Sequence, residues 1–290
     1  MTRHIFLLGA GYSARAFATL AKGETITGTT RSPEKAEALR AQGIAPLIFD
    51  GTAVSPEMDA ALRETTHLVM SAAPRGGRDP LLSALQLPLG EAMPALRWVG
   101  YLSTVGVYGD HQGRWVDEDS ECRPMPGRSD DRSAAENEWL SAGAQAGVPV
   151  AVLRLSGIYG PGRNALANLV AGTARRIVKP GQVFNRIHVA DIAGALDHLA
   201  RSETGGVFNV TDDEPSPPQD VVAYAANVMG VEPPPEIDFD TAELTPMARS
   251  FYGETKRVSN ARLKAAGYVF RYPDYRVALD AMWRDGSWRG

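Results

Sequence analysis

His4-Ile5-Phe6-Leu7-Leu8, Gly9-Ala10-Gly11-Tyr12-Ser13-Ala14 and Arg15-Ala16-Phe17-Ala18-Thr19-Leu20 follow one another without interruption near the start of the chain. The first stretch is an apolar strand, the second a glycine turn and the third the opening of a helix. A G-x-G-x-x-A turn between a strand and a helix is a dinucleotide-binding fingerprint. Gly9 permits the sharp exit from the strand. Gly11 lacks a Cβ, so a pyrophosphate can approach its backbone. Ala14 is small enough for the helix to pack closely on the strand. The N–H groups of the first helical turn, around Tyr12, Ser13 and Ala14, then face the phosphates with the positive end of the helix dipole.

The next strand, Thr25 to Thr30, bears on which dinucleotide. NAD-specific sites place an acid at this strand end for the ribose 2′-hydroxyl. Here the residues are Thr30, Arg31 and Ser32, two hydroxyls and a cation. Arginine grips phosphate well, so the expectation is NADP, with NAD second. The plainer reading makes Arg31 a solvated residue before a helix.

Composition narrows the remaining classes. A chain of 290 residues can bury a large core and suggests one domain with an elaborated lobe. The net charge of −4, without a long basic run, argues against nucleic acid as a partner. No apolar stretch reaches the roughly 18 residues of a membrane span. A core strand beginning at His4 leaves no room for a signal peptide, and the single Cys122 forms no internal disulfide. Both point to the cytoplasm. Cys122 itself, in a polar proline-rich loop, reads as an incidental thiol.

Strands and helices alternate along the chain. Strands are expected at 43–50, 67–72, 98–103, 150–155 and 207–210, with helices at 33–42, 56–64, 81–96 (interrupted by Pro88 and Pro94), 129–146, 189–200 and from 217 to near Gly230. Near-continuous apolar strands separated by helices indicate a parallel sheet covered on both faces. The expected fold is therefore α/β, a Rossmann-type doubly wound parallel sheet with a smaller C-terminal lobe covering the substrate. Residues 1–155, completed by 187–211, form the dinucleotide-binding core. Residues 156–186 and 212–290 form the lobe.

Several segments resemble the extended short-chain dehydrogenase/reductase superfamily, the nucleotide-sugar epimerases and dehydratases. Leu102-Ser103-Thr104-Val105-Gly106-Val107-Tyr108-Gly109 is similar to its Ser-Ser-x-x-Val-Tyr-Gly segment. Arg154 through Tyr159-Gly160-Pro161 resembles Arg-x-x-x-x-Tyr-Gly-Pro, and Ile187-His188-Val189-Ala190-Asp191 resembles Ile-His-Val-x-Asp. The matches keep order and spacing over about residues 1–211. The resemblance implies an NAD(P)-dependent oxidoreductase, epimerase or dehydratase, often a homodimer. It also implies cofactor contacts at Ala72 and Ala73 after the fourth strand, and at Asp50, whose carboxylate would meet the adenine amine. A turn aspartate is the plainer reading of Asp50.

One departure stands out. The superfamily's catalytic Tyr-x-x-x-Lys opens the helix after the fifth strand. Aligned on Ala135-Glu136, this chain has Arg128 for the tyrosine and Arg132 for the lysine, marking it as an atypical member. Arginine does not readily release a proton, so Arg128 is no general base. Arg132 still has the charge and donors to hold the nicotinamide ribose. Thr104 aligns with the hydroxyl that orients the substrate oxygen, or else satisfies local backbone at a strand end. Tyr108 and Tyr159 are the remaining tyrosines at the carboxyl edge, and both normally pack. Asp130, Asp131 and Ser129 read as helix capping residues, and His188 as structural. No residues have metal-ligand spacing.

Arg163, Arg175, Arg176, Lys179 and Arg186 crowd the expected lobe. Arginines there suit an anionic small molecule, a nucleotide-sugar or another anion, with Arg163, Arg186 and Tyr159 as candidate contacts. Arg186 lies two residues from the position of the superfamily's usual arginine and shares its strand face. Solvated surface is the competing reading. The sequence thus leaves two functions: an NADP-dependent enzyme with an altered dyad, or a non-catalytic NADP-binding sensor or regulator.

A charge-assisted hydrogen bond contributes about 1.5–3 kcal/mol. Arg31→Ala should therefore weaken NADP binding about tenfold or more and leave NAD nearly unchanged in calorimetric titrations. An equal loss for both would show that Arg31 does not read the 2′-phosphate.

Overall fold

Phe6, Leu7 and Leu8 are completely buried, as a central strand flanked on both faces requires. In a computed structural model, which describes residues 2–290, this strand β1 (His4–Leu8) is followed by α1 (Tyr12–Leu20), β2 (Thr25–Thr30), α2 (Glu34–Arg40), β3 (Ala45–Ile48), α3 (Pro56–Glu64) and β4 (His67–Met70). Then come the short helices α4 (Pro80–Ala84) and α5 (Leu89–Ala92), β5 (Trp98–Thr104) and the long helix α6 (Arg128–Ala146). Strands Val150–Leu155 and Gly206–Val210 complete a seven-stranded sheet. From one edge the order is Gly206–Val210, Val150–Leu155, β5, β4, β1, β2, β3. β1 pairs in parallel with β2 and β4, β2 with β3, and β4 with β5. This is the Rossmann-type doubly wound arrangement. Its order reverses beside β1, so the glycine turn lies at the topological switch point where such sheets take ligands.

The helical stretch over 81–96, expected to be interrupted by Pro88 and Pro94, is two short helices. Pro88 has no N–H and disfavours helical geometry just before it, and Leu85 already has an extended backbone. The expected strand over 43–50 shortens to Ala45–Ile48.

The chain divides into two units. The first runs through Val107 and adds Pro124–Arg154 and Ile192–Phe208. Its core packs Phe6, Leu8, Met70, Val99 and Tyr101 against Ala135 and Trp139 of α6. The second contains Tyr108–Arg123, Leu155–Asp191 and Asn209–Gly290. Three parallel strand pairs organise it: Gly157–Tyr159 with Arg186–His188, Trp115–Val116 with Arg257–Val258, and Arg176–Val178 with Glu236–Asp238. The second of these pairs draws residues 108–123, expected in the core, into this unit. The segment 187–191, also expected in the core, goes with it through Asp191. The Asp191 carboxylate accepts hydrogen bonds from Tyr268 Oη and the Arg271 and Tyr272 N–H groups at 2.8, 2.7 and 3.0 Å. The second unit has its own apolar core around Tyr159, Leu166, Tyr272, Tyr275 and Leu279.

Within the first unit a buried ionic knot fixes α6. Glu136 accepts from Ser103 Oγ of β5 at 2.5 Å and from Arg154 Nη2 at 2.8 Å, while Arg154 Nε lies 3.2 Å from both of its carboxylate oxygens. Glu136, Ser103 and Arg154 are all nearly inaccessible to water. Removing one partner from such a pair strands a buried charge and costs about 3–5 kcal/mol. Glu136→Ala should lower stability by about that amount in denaturant titrations. A loss well under 1 kcal/mol would show that α6 is held by packing alone.

Candidate functional site

Gly9 adopts φ of +83°, and a Cβ there would lie 3.0 Å from the Ala72 N, so only glycine fits. Its N–H donates to Thr29 Oγ1 at 2.8 Å, and the Ala10 N–H to the Thr29 carbonyl at 2.9 Å. The turn is thus clamped between β2 and β4. Gly11 is the N-cap of α1 and brings no side-chain hydrogen bond to the first turn. A Cβ on it would meet nothing closer than the Gly9 carbonyl at 3.9 Å. Open space above an N-terminus that no side chain caps fits a pyrophosphate. Ser13 and Ala14 are buried, Ala14 completely. The Ala72 N–H is tied to the Leu8 carbonyl at 3.0 Å, leaving Ala73 exposed beyond it.

At the end of β2, Thr30 Oγ1 and Ser32 bond to each other's neighbourhood rather than outward. The Ser32 N–H donates to Thr30 Oγ1 at 3.3 Å, and the Ser32 hydroxyl donates to Glu34. Arg31 is exposed and makes no hydrogen bond or ion pair among the described residues. Of the three, it is the one whose side chain is not bonded to another described residue. Asp50 is exposed, but its Oδ1 accepts from Thr52 Oγ1 at 2.6 Å and Thr52 N at 2.9 Å. Those bonds hold its carboxyl below the ordinary range. Only Oδ2 remains for an adenine.

At the end of β5, Thr104 Oγ1 accepts from the Gly106 N–H at 3.0 Å. A Cβ on Gly106 would lie 2.8 Å from Ser129 Oγ and 3.3 Å from Thr104 Oγ1, so this glycine leaves room for two hydroxyls. Ser129 was expected to cap α6. The N-cap is instead Gly127, at φ of +103° and without a side-chain bond, which puts Ser129, Asp130 and Asp131 inside the first turn. Ser129 thereby borders the same gap at Gly106 as Thr104, a proximity that spacing alone does not reveal. Arg128 is exposed at the first position of α6. Arg132, one turn later, donates to the Leu102 carbonyl at 2.5 Å, with its guanidinium carbon 5.9 Å from the Tyr101 ring centre. Burial pushes the Tyr101 phenol up to about 12 despite Arg132. It is no base at neutral pH.

The second unit sorts the other candidates. Tyr108 is completely buried and donates to Asn209 Oδ1 at 2.8 Å. Asn209 N–H donates to Glu118 Oε1 at 2.7 Å, so the tyrosine is part of an internal tie. Arg176 pairs with Glu236 at 2.6 Å, and Lys179 donates to the Tyr252 carbonyl, so neither is a free cation. Arg163 and Arg175 are exposed, Arg163 at the end of a tight turn closed by its exchange of backbone hydrogen bonds with Gly160.

Arg186, Tyr159 and His188 lie on one face of their strand pair, His188 directly opposite Tyr159. Arg186 Nη1 donates to Ser216 Oγ at 2.7 Å and to the Phe184 carbonyl at 3.0 Å. The Tyr159 hydroxyl and His188 Nε2 are buried without partners among the described residues. His188 Nδ1 accepts from Ala190 N at 3.1 Å, and burial, with Arg271, pushes the ring down to about 4. It is neutral at pH 7. Burial, with Asp212 and Asp191 nearby, drives the Tyr159 phenol upward. Asp212, which the sequence reading missed, is 1% exposed beside Arg186, and its Oδ2 has no partner. Burial pushes it up to about 8, although Arg186 opposes the shift. No spacing rule marks this residue, because its neighbours arrive from distant segments.

Residues 9–211 match the NAD dependent epimerase/dehydratase family. The chain belongs to that family. Protein YeeZ of Escherichia coli (strain K12) is 26% identical over 286 residues, with 94% of this chain and 97% of YeeZ covered. A 3-diazoavenalumate denitrifying reductase from Streptomyces is 30% identical over 183 residues, covering 57% of this chain and 58% of the reductase. Among solved structures, a conserved protein of unknown function from Silicibacter pomeroyi is 47% identical, with TM-score 0.86 over 97% of this chain and 98% of its own. Human epimerase family protein SDR39U1, solved with NADPH, shares the fold at 20% identity and TM-score 0.73, over 97% and 99% of the two chains. The residues of the glycine turn thus belong to an NAD(P)-dependent family. No described helix is long and apolar enough to cross a membrane.

The Asp212 carboxyl is near 8 in the fold and near 4 when unfolded. Its contribution to stability is complete below about pH 4 and is lost as pH rises through about 8. Asp213, Asp274 and Tyr159 bear on the same group, with Arg186 opposing. Asp212→Asn should be increasingly more stable than wild type as pH climbs from 4 to 8. A stability difference that does not change with pH would contradict a buried neutral carboxyl.

Proposed function

We propose that this family member is an NADP-dependent oxidoreductase acting on a small anionic substrate without a tyrosine acid–base. The observation that carries the reading is the geometry at the end of β5. Two arginines, Arg128 and Arg132, lie in the first turns of α6, and the hydroxyls of Thr104 and Ser129 both border the gap left by Gly106. The Streptomyces relative, a reductase by name, favours reduction over epimerisation.

The bound nicotinamide would supply or accept the hydride. Gly9 and Gly11 admit the pyrophosphate to the first turn of α1, around Tyr12, Ser13 and Ala14. Arg31 meets the 2′-phosphate beside Thr30 and Ser32, and Asp50 offers Oδ2 to the adenine. Arg132 is fixed at one end by the Leu102 carbonyl and keeps further N–H groups for the nicotinamide ribose. Thr104 accepts from the Gly106 N–H, which leaves its own proton to donate to a substrate oxygen. Arg128 stays charged at working pH, so it stabilises negative charge on the substrate and does not move a proton. The proton that accompanies the hydride then comes from water. Arg163, Arg186 and Tyr159 are the second unit's candidates for the substrate, a nucleotide-sugar or another anion. The lone Cys122 suits a reducing, cytoplasmic setting.

The test is NADPH oxidation against a panel of sugar nucleotides, carbonyl acids and other electrophilic anions. Removing one donor to a developing oxyanion lowers turnover by about 10²–10³. Thr104→Ala and Arg128→Ala should each lower kcat on that scale with cofactor affinity near wild type. Arg132→Ala should instead weaken NADPH about tenfold or more. Turnover that survives both Thr104→Ala and Arg128→Ala would put the reaction centre elsewhere.

A further inference from the structure

The segment that leaves β4 contains Arg75-Gly76-Gly77-Arg78, which none of the chemistry above uses. It is a closed turn. The Arg75 N–H donates to the Arg78 carbonyl at 3.0 Å, and the Arg78 N–H to the Arg75 carbonyl at 3.2 Å. Gly76 and Gly77 have φ of +58° and +73°, as a type I′ turn requires at both central positions. Residues that exchange both backbone bonds across an antiparallel pair sit about 5.5 Å apart and project to the same side. The turn therefore roots two arginine side chains on the same side, directly opposite one another. Both arginines are exposed, and neither makes a hydrogen bond or ion pair with a carboxylate among the described residues. Like charges placed directly opposite one another destabilise such a pair, and an anion between them would relieve that.

The place of the turn narrows the anion. It follows Ala72, whose backbone is packed against Gly9 of the phosphate-binding turn. Arg75 Nη1 lies 3.9 Å from the position a Cβ on Gly51 would take, next to Asp50 at the end of β3. On the other flank, a Cβ on Gly77 would stand 3.8 Å from Asp131 Oδ1 in the first turn of α6. The arginines are thus strung along the carboxyl edge of the first unit, between the residues assigned to the adenine and the helix that carries Arg132.

We propose that the Arg75–Arg78 turn is a second phosphate grip, closing on a phosphate of the dinucleotide at the carboxyl edge of the first unit. The inference rests on the cofactor reading above. Two guanidinium groups on a rigid turn take a phosphate by charge-assisted, bidentate bonds without ordering a loop first. The phosphate is either the 2′-phosphate or the pyrophosphate.

The experiment is calorimetric titration of the full chain with NADPH, NADH and inorganic pyrophosphate. It compares wild type with Arg75→Ala, Arg78→Ala, the double variant and the double lysine variant. Both residues are exposed, and thermal melts check that each variant folds. The double alanine variant should bind NADPH about ten- to a hundredfold more weakly, with lysine restoring only part of the loss. A loss confined to NADPH assigns the 2′-phosphate. A loss shared by NADPH, NADH and pyrophosphate assigns the pyrophosphate. Wild-type affinity for NADPH in the double variant overturns the phosphate grip while the cofactor reading stands. If wild type binds neither dinucleotide, the cofactor reading fails, and pyrophosphate decides the turn. Binding that the double variant loses keeps the grip, and no such binding overturns it.

Discussion

Helix α6 is held at its buried face by one carboxylate shared between two strands. Glu136 receives Ser103 from β5 and both the Nε and Nη2 donors of Arg154. Burying a carboxylate and a guanidinium together is expensive, and their attraction offsets that cost only when the remaining hydrogen-bonding capacity is met. Here three donors converge on the two oxygens, so the pair tolerates a dry site. The consequence is positional. Arg132 lies one turn before Glu136 on the same helix, and Arg128 one turn before that, so the knot sets where both arginines stand against β5. Arg132 reaches the Leu102 carbonyl, one residue before Ser103, because the register of helix and strand is fixed.

That rigidity matters because it sets where two arginines stand at the end of β5. A tyrosine in the family's position would act by exchanging a proton. A guanidinium cannot, but it offers five donors and a permanent charge. Thr104 and Ser129 both border the space left by Gly106, and the start of α6 at Gly127 places Ser129 there. Under the proposed function this edge would act by electrostatic stabilisation rather than proton transfer.

The second unit shows the opposite balance. Its titratable groups are pushed toward neutrality by burial: His188 to about 4 and Asp212 to about 8. Tyr108, an apparent candidate for the missing acid–base, is consumed by Asn209, and the basic run at 175–179 is largely spent on Glu236 and Tyr252. Charge counted along a sequence overstates what a surface offers when much of it is already bonded inside.

Sequence by itself determined the Rossmann-type sheet and the glycine turn, and through its motifs the family. These are local or strictly ordered signals, because strand alternation, G-x-G-x-x-A and helix spacing depend on residues near one another in the chain. Its reading of Ser129 as a cap failed because Gly127 starts the helix two residues earlier. Its reading of 81–96 as helix interrupted by Pro88 and Pro94 agrees with two short helices, because a proline breaks a helix through its own ring and needs no distant partner. The tertiary structure alone decided which polar groups remain available. Ser32 bonds Glu34, Thr52 occupies one oxygen of Asp50, and Asp212 is buried beside Arg186, whereas Arg31, Arg75 and Arg78 stay open. Whether a side chain is free or already satisfied depends on partners brought from distant segments by packing, and no spacing along the chain encodes that.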